Sequence, residues 1–267
     1  MFHETFREAW ALRYGAAPDF EVAGIDRFLT HRSIRKYRDE PIPEETIKGL
    51  IAAAQSAATS SNLQLWSVIS VQNGERREAI AQLCGDQKQV REAAWFLAFF
   101  ADHHRLRAAA AAVGESAAGL DYNEFYTMAV IDAALAAERL VCAAESLGIG
   151  ICYIGALRND PDGVRAFFGL PEGVFGVFGL CLGWPAKGVE AEIKPRLAQE
   201  AVWFRETYGP SPNVEEYDAR MRPFYERQGM KGDATWSMRS GRRVDGHHMT
   251  GREVLQPWLQ RQGFDRR

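Results

Sequence analysis

The strongest constraint on the fold is a long apolar segment in the middle of the chain, from about Tyr122 to Leu147. Its length and spacing predict one uninterrupted helix, which Gly148 ends because glycine readily adopts the left-handed conformation of a C-terminal cap. The apolar residues of this segment are Phe125, Met128, Val130, Ile131, Leu135, Leu140, Val141 and Cys142. They occupy more than one side of a helix, so the helix forms either the core of a large domain or half of a dimer interface.

Four short apolar segments predict the strands of a small sheet. Helical segments separate them, and they lie near residues 66–71, 95–101, 150–154 and 175–183. This order predicts an α+β fold, an α/β sandwich in which helices enclose a small mixed central sheet. We expect a single domain over residues 1–267, with an N-terminal extension at 1–21 and a helical, basic C-terminal excursion at 197–267.

Charge and composition argue against several classes of protein. Lys+Arg total 32 against Asp+Glu 35, so the formal net charge of -3 provides no global basic field to attract nucleic acid or anionic lipid. No apolar run reaches the length of a membrane span, and the first residues do not resemble a secretory signal. The cysteines lie far apart in apolar segments, which is typical of reduced thiols, at Cys84, Cys142, Cys152 and Cys181. We therefore expect a soluble, cytoplasmic protein.

Several common catalytic motifs are missing from the sequence. No GxGxxG follows a strand and no phosphate loop with Gly-Lys-Ser/Thr is present, so a dinucleotide-binding Rossmann domain and a nucleoside triphosphatase lose their main support. GxSxG and metal-ligand spacings are also missing, and we expect no metal. The adjacent pairs His103-His104 and His247-His248 point in divergent directions on most backbones, so we expect all four imidazoles on the surface.

Four stretches remain that could bind a ligand. They are His31–Tyr37, Thr59–Gln64, Gly150–Gly155 with Gly85–Lys88 as a companion, and Lys194–Arg196. Each has an ordinary structural interpretation on its own: a solvated charge run, a loop that ends a helix, a packed strand, a surface turn. Their order along the chain is the more specific signal.

Together these stretches resemble one family. The segments HRSIRKYRDEPI, GDQK, AAESLGIGICYIGALRN, FGLCLGWP and IKPR follow one another as in the FMN-dependent nitroreductase superfamily, and are most similar to its oxygen-insensitive, NADPH-preferring nitroreductase and flavin reductase branch. The resemblance covers about Phe28 to Arg196 and is weaker elsewhere. It implies FMN as the bound cofactor, and NADPH or NADH as the electron donor.

The resemblance also implies roles for individual residues. The FMN phosphate, a dianion, is surrounded by cations and a hydroxyl, which here correspond to His31, Arg32, Ser33, Lys194 and Arg196. Two residues tune the flavin ring: the Arg35 cation at its N1 and O2 edge, and the Gly155 backbone N–H, next to Tyr153 and Ile154, at N5. Gln87 corresponds to a residue at the pyrimidine edge.

A loop and a basic segment complete the implied site. In the family the loop reaches the flavin from the partner subunit of a homodimer, and its residues match Thr59, Ser60, Asn62 and Gln64, with Asn62 standing where relatives carry an aromatic. The nucleotide-substrate residues are Arg227, Lys231 and Arg252, although a second basic position of the family falls on Gly232. Compared with the family, the region from Ser237 to Arg252 is also longer, and it is rich in arginine.

The sequence thus predicts an FMN-dependent oxidoreductase that transfers hydride from NADPH, or NADH, to nitroaromatics or quinones in a ping-pong cycle. A flavin reductase that supplies reduced FMN to a partner monooxygenase shares every site residue and stays open as the alternative. Another flavin-dependent redox role within the superfamily is less favoured. A non-catalytic nucleic-acid-binding module, drawing on the basic stretch at His31–Tyr37, is the remote alternative and conflicts with the acidic net charge.

Overall fold

The computed structural model describes residues 4–188, 191–210, 212–230 and 234–267. Four strands, β1 to β4, lie at Trp66–Val71, Trp95–Asp102, Gly150–Ile154 and Val174–Gly183. The α-helices, α1 to α11 in chain order, are Phe6–Tyr14, Asp26–Leu29, Glu44–Gln55, Gly74–Leu83, Lys88–Glu92, His104–Ala112, Asn123–Ser146, Pro161–Phe168, Glu215–Arg227, Trp236–Val244 and Leu255–Arg261.

The chain divides into two compact units, which we describe separately. The first unit is drawn from Met1–Arg32 and Glu190–Met249, and the second from Ser33–Val189 and Thr250–Arg267. In the first unit, α9 buries an apolar cluster of Tyr217, Met221, Phe224 and Tyr225. Its helix α1 begins at a capping box, in which the Thr5 and Glu8 side chains each accept the other residue's backbone N–H.

The second unit is built around the sheet, whose strand order is β1-β2-β4-β3 with every neighbouring pair antiparallel. Side chains of β2 point to opposite faces of the sheet. Phe96 and Phe100 pack on one face with the cluster that includes α4, α5 and α8, while Phe99 packs on the other face with the cluster of α3 and α7. Burial of each such ring stabilises the fold by about 1.5–3 kcal/mol. Helices thus cover both faces, as predicted, and the α+β class is confirmed.

The sheet differs from expectation in one respect. We expected a mixed sheet, but the four strands pair only in the antiparallel sense, and the parallel component is an isolated bridge between Ser33 and Ile151. The structure also contains helices for which the sequence gives no bounds. Helix α6 follows β2 with an alanine-rich sequence, and α10 lies in the arginine-rich part of the predicted helical, basic excursion at 197–267.

Helix α7 is buried along one broad stripe. The buried residues recur at helical spacing at Ala129, Asp132, Ala133, Ala136, Ala137, Leu140, Val141 and Ala144. On another side, Ile131 and Leu135 remain 50% and 43% exposed, one turn apart. The segment is therefore a single helix, as predicted, with an apolar face that the described residues leave exposed. None of the described helices combines the length and apolarity that a bilayer crossing requires.

The histidine expectation is wrong at one position. His104, His247 and His248 are exposed, but His103 is 0% exposed, and its ring lies 4.5 Å from that of Phe264. Burial lowers the pKa of the His103 imidazole most, and the Arg107 cation also lowers it, although the Phe125 backbone and the Asp102 and Asp121 carboxylates oppose the change. The neutral imidazole is therefore the form that the folded protein prefers.

Acid should destabilise the protein through His103. Because the pKa of His103 is lowered in the folded state, the unfolded chain binds more protons than the folded protein below about pH 6.5. The free energy of unfolding therefore falls there by up to about 1.4 kcal/mol per pH unit, until the pH drops below the folded-state pKa. We expect His103→Gln to flatten this acid limb in urea unfolding measured from pH 7 to pH 5. The neighbouring His104→Gln, at an exposed position, is the matched control. An acid limb of unchanged slope in His103→Gln would contradict the assignment.

Candidate functional site

The segment Ser33–Arg38 lies along the sheet of the second unit and is anchored at both ends. Ser33 bridges to Ile151, the Ile34 N–H donates to the Ile151 carbonyl at 2.8 Å, and Tyr37 bridges to Pro185 just beyond β4. The segment therefore passes from the free edge of β3 to the end of β4.

Two glycines make this close approach possible. A Cβ at Gly150 would lie 2.7 Å from the Ile34 side chain, and a Cβ at Gly183 would lie 2.5 Å from the Tyr37 ring. Both distances are shorter than real Cβ atoms tolerate, so the glycines admit the two side chains directly onto the sheet. Ile34 is buried and the Tyr37 hydroxyl donates to the Ile34 carbonyl at 2.7 Å, so the backbone between them is fixed.

Arg35 projects from this fixed backbone and is exposed to solvent. In the part of the chain that the structure describes, no carboxylate or hydrogen-bond acceptor pairs with its guanidinium. Lys36, the next residue, is exposed as well. Arg35 is therefore a cation with an anchored backbone and unused donors, which suits a ligand that carries or develops negative charge.

In the first unit, Arg13 contacts both the start of the basic stretch at His31 and the Lys194–Arg196 stretch. This buried guanidinium donates to the backbone carbonyls of Leu29 at 2.8 Å, His31 at 3.0 Å and Lys194 at 3.4 Å. The Arg196 N–H in turn donates to the Arg13 carbonyl at 2.9 Å. His31 and Lys194, far apart in sequence, are thus held close together by one side chain. Sequence reasoning missed Arg13, because a single arginine in an amphipathic helix carries no recognisable signal.

The side chains of these basic stretches face different surroundings. Arg32 is buried and donates to the Thr30 and Ala191 carbonyls at 3.0 and 3.1 Å and to the Glu4 carboxylate at 2.8 Å. Lys194 and Arg196 are exposed, while Pro195 between them is buried and accepts a hydrogen bond from the Tyr217 hydroxyl at 3.1 Å. The Lys-Pro-Arg stretch therefore presents two cations from an anchored centre.

The loop Thr59–Leu65 of the second unit has an unusual backbone. Ser61, Asn62 and Gln64 adopt positive φ angles of 49°, 56° and 52°, which non-glycine residues rarely adopt. Ser60 and these three residues are exposed, and Thr59 is half-buried. The loop therefore presents four polar side chains to solvent from a conformation that something else must stabilise.

A second turn lies where β3 ends. Gly155 begins a 3₁₀ turn that continues to Arg158, and Gly85 approaches it, since a Cβ at Gly85 would lie 3.9 Å from the Ala156 Cβ. Gln87 is half-buried; its amide donates to the Cys84 carbonyl at 2.8 Å and its side-chain oxygen accepts from Gln89 at 2.7 Å. The structure thus brings together the two glycine-containing stretches that the sequence paired.

The two residues before Gly155 have their side chains engaged within the protein. Ile154 is buried in the sheet core, and the Tyr153 hydroxyl donates to the Glu138 carboxylate at 3.1 Å. Burial, more than the Glu138 charge, raises the pKa of Tyr153 far above its ordinary value, so the phenol stays protonated. Tyr153 and Ile154 can therefore offer a ligand mainly their backbone.

The three residues predicted to bind the nucleotide, Arg227, Lys231 and Arg252, differ in their surroundings. Arg227 is exposed and pairs with the Glu192 carboxylate at 2.7 Å. Arg252 donates to the Asn159 side-chain oxygen and to the Gly155 carbonyl, each at 3.0 Å. Lys231, together with Gly232, lies outside the described residues.

Comparison with known proteins gives a consistent result. A family model described as "Nitroreductase family" matches residues 29–184, and one described as "Nitroreductase family, C-terminal domain" matches residues 194–267. Among curated proteins, an "FMN reductase (NADPH)" from Bacillus subtilis (strain 168) is 38% identical over 220 residues, which are 80% of this chain and 88% of that protein.

Two further relatives agree with it. An "Oxygen-insensitive NADPH nitroreductase" from Salmonella typhimurium is 38% identical over 216 residues, covering 80% of this chain and 87% of that protein. A solved nitroreductase structure from B. subtilis superposes with a TM-score of 0.83 at 35% identity, covering 91% of this chain and 99% of that one. The matches extend over both the sheet region and the C-terminal segment.

Proposed function

Since the chain belongs to the nitroreductase family, we propose that it is an FMN-dependent oxidoreductase that passes hydride from NADPH to flat, electron-poor acceptors such as nitroaromatics or quinones. The observation that carries the proposal most directly is Arg35, an exposed cation without a described partner on a backbone fixed by Ile34 and Tyr37. When bound, FMN supplies the hydride acceptance and release that no side chain of the protein can provide.

The residues of the first unit fit the phosphate of such a cofactor. Lys194 and Arg196 are exposed cations on an anchored backbone, and Arg13 fixes the backbone of His31 beside that of Lys194. We assign the phosphate to His31, Arg32, Lys194 and Arg196 of this unit, together with Ser33, the first residue of the second unit. Arg32 is held in one orientation by three acceptors, which lowers the entropy cost of adding a phosphate contact.

The second unit fits the ring. We assign to Arg35 the stabilisation of negative charge that develops at the N1 and O2 edge, and to the Gly155 N–H the contact at N5. A Cβ at Gly155 would meet no backbone atom, and its nearest neighbour is the Arg158 guanidinium at 3.5 Å. Backbone of Tyr153 and Ile154, and the Gln87 amide, complete this group. Thr59, Ser60, Asn62 and Gln64 contact the ring from the loop.

We further propose that the functional form is a homodimer in which that loop belongs to the partner subunit. The support is the exposed apolar face of α7, where Ile131 and Leu135 lie one turn apart. A C2 interface can bury such a face against its own copy. The loop and α7 are part of the same unit, so the dimer contact and the partner's contribution to the site arise together.

We propose that NADPH is preferred over NADH. A 2'-phosphate requires a local cation, and the candidates are Arg227, Lys231 and Arg252. Arg227 is exposed, and its pairing with Glu192 orients the guanidinium without burying it. The Arg252 side chain lies against the turn that starts at Gly155, where its guanidinium donates to the Asn159 side chain and the Gly155 carbonyl. It can therefore bind a nucleotide only through N–H groups that these contacts do not use.

A flavin reductase is the second candidate. The relative from B. subtilis that is called an FMN reductase matches 80% of this chain, as does the nitroreductase relative from Salmonella typhimurium. The two activities differ in whether FMN stays bound through the cycle. We also place the enzyme in the cytoplasm, since its four cysteines are free thiols and three of them are buried.

The purified protein tests the proposal. We expect a yellow preparation that releases FMN on denaturation, oxidises NADPH when a quinone or nitroaromatic is added, and shows a higher kcat/KM for NADPH than for NADH. Parallel lines in double-reciprocal plots support the ping-pong cycle. FMN that dissociates on gel filtration during turnover favours the flavin reductase. A colourless protein that fails to bind added FMN contradicts both.

A further inference from the structure

Asp132 is a buried carboxylate that the proposed function does not use. It lies on the buried stripe of α7 and is 1% exposed. Within the described part of the chain no cation pairs with it; its acceptors are occupied instead by donors from the Thr59–Leu65 loop. A buried carboxylate is costly unless its oxygens are hydrogen-bonded, so these contacts are required for the fold to tolerate it.

The contacts hold both ends of the loop. The Thr59 hydroxyl donates to Asp132 at 2.5 Å, the Ser60 N–H at 3.2 Å and, after the positive-φ residues, the Leu65 N–H at 3.0 Å. The Thr59 hydroxyl oxygen also accepts the Gln64 N–H at 2.9 Å. The loop between Ser60 and Leu65 is therefore closed around one side chain.

Arg105 holds the opposite side of the same loop. Its guanidinium donates to the Gln64 carbonyl at 2.9 Å and to the Trp66 carbonyl at 3.3 Å. Asp132 thus accepts the Ser60 and Leu65 N–H groups, while Arg105 donates to the Gln64 carbonyl near the end of the loop and to the Trp66 carbonyl at the start of β1. Each of the three left-handed residues costs free energy, and they persist only because the surrounding contacts over-determine the backbone.

We infer that Asp132 and Arg105 are positioning residues that fix the Thr59–Leu65 loop in the shape that binds FMN. The inference rests on the proposed function, in which this loop presents its exposed polar side chains to the flavin ring. A loop that is already ordered loses little entropy on binding, so the two residues raise affinity without touching the ligand. Neither residue is among those assigned to the cofactor or the nucleotide.

The test compares Asp132→Asn and Arg105→Met with the wild type. We expect faster hydrogen exchange at the Ser60 and Leu65 amides of the flavin-free Asp132→Asn protein, and an FMN Kd raised about tenfold, measured by quenching of flavin fluorescence. Arg105→Met, whose side chain is 54% exposed, should fold normally and raise the Kd about threefold. If Asp132→Asn does not fold, Arg105→Met decides alone.

A packing variant of the same helix separates positioning from general instability. Leu140→Val creates a small cavity in the buried stripe of α7 away from the loop, and should lower Tm while leaving the FMN Kd unchanged. Wild-type FMN affinity in both loop variants overturns the inference, and so does an equal loss of affinity in Leu140→Val. A wild-type protein that binds no FMN instead overturns the proposed function, and the inference with it.

Discussion

Replacing Arg35 with alanine is expected to slow reduction of the bound flavin by NADPH about 100-fold, the loss typical of removing one preorganised group that stabilises developing charge. The reason is specific to this position. Arg35 projects from backbone that is anchored by Ile34 against Gly150 and by Tyr37 against Gly183. Because the backbone that carries Arg35 is already anchored, only the side chain has to be ordered when charge develops. Stopped-flow absorbance of the reductive half-reaction gives the rate, and photoreduction against a reference dye gives the flavin potential, which should fall.

Lys36→Ala is the matched control for this prediction. Lys36 is the adjacent cation and is likewise exposed, but the proposed function assigns it no contact with the cofactor. It removes the same unit of charge one residue away, so it reports any general electrostatic effect. We expect its reduction rate and potential to stay close to wild type. Equal slowing in both variants would show that net charge, rather than the Arg35 position, governs the reaction.

The second large effect is expected from Lys194→Ala combined with Arg196→Ala. Charge-assisted contacts to a phosphate dianion are worth about 1.5–3 kcal/mol each when shielded, and less at exposed positions, so we expect the FMN Kd to rise about 100-fold in the double variant. Riboflavin, which lacks the phosphate, should bind wild type and variant alike. Because both cations are exposed, the difference between the proteins should shrink as salt is added.

Lys187→Ala supplies the comparison for the phosphate prediction. Lys187 is another exposed lysine, outside the residues assigned to the phosphate, so its loss should not change FMN affinity. Isothermal titration calorimetry of flavin-free wild type and variants measures the Kd of FMN and the Kd of riboflavin by the same method. The assignment fails if the double variant loses riboflavin as severely as FMN, because the defect would then lie in the ring site or in folding.

The elements with strong local signals were predictable from the sequence. The helix α7 has a long apolar pattern and a glycine just beyond its end, and the four strands are short, mainly apolar segments separated by helices. Helix α6 carries little sequence signal, since an alanine-rich segment shows little apolar periodicity. Helix α10 lies within the predicted helical, basic excursion at 197–267, but its bounds were not predicted. The antiparallel pairing was missed for a different reason: strand sense depends on tertiary connections that hydrophobic pattern alone does not encode.

The candidate site divides in the same way. Charged and glycine-rich stretches such as His31–Tyr37 are visible in a sequence, and the structure anchors Arg35 and gathers the basic stretches of the first unit. The groups that support them were invisible. Arg13, Asp132 and His103 are single polar residues within helical or strand-flanking segments, and only their burial shows that they matter. Sequence patterns reveal periodic features such as an apolar helix face, whereas each of these residues is an isolated polar residue whose partners are distant in the chain.

The Arg13 contacts have a consequence for how the enzyme is made. The guanidinium reaches a carbonyl that is 181 positions further along, at Lys194, so this contact cannot form until most of the chain has left the ribosome. Closing such a long loop also makes it a late step of folding. Under the proposed function, the phosphate-binding residues are therefore assembled after synthesis is nearly complete. We therefore expect capture of the FMN phosphate to follow synthesis of the chain.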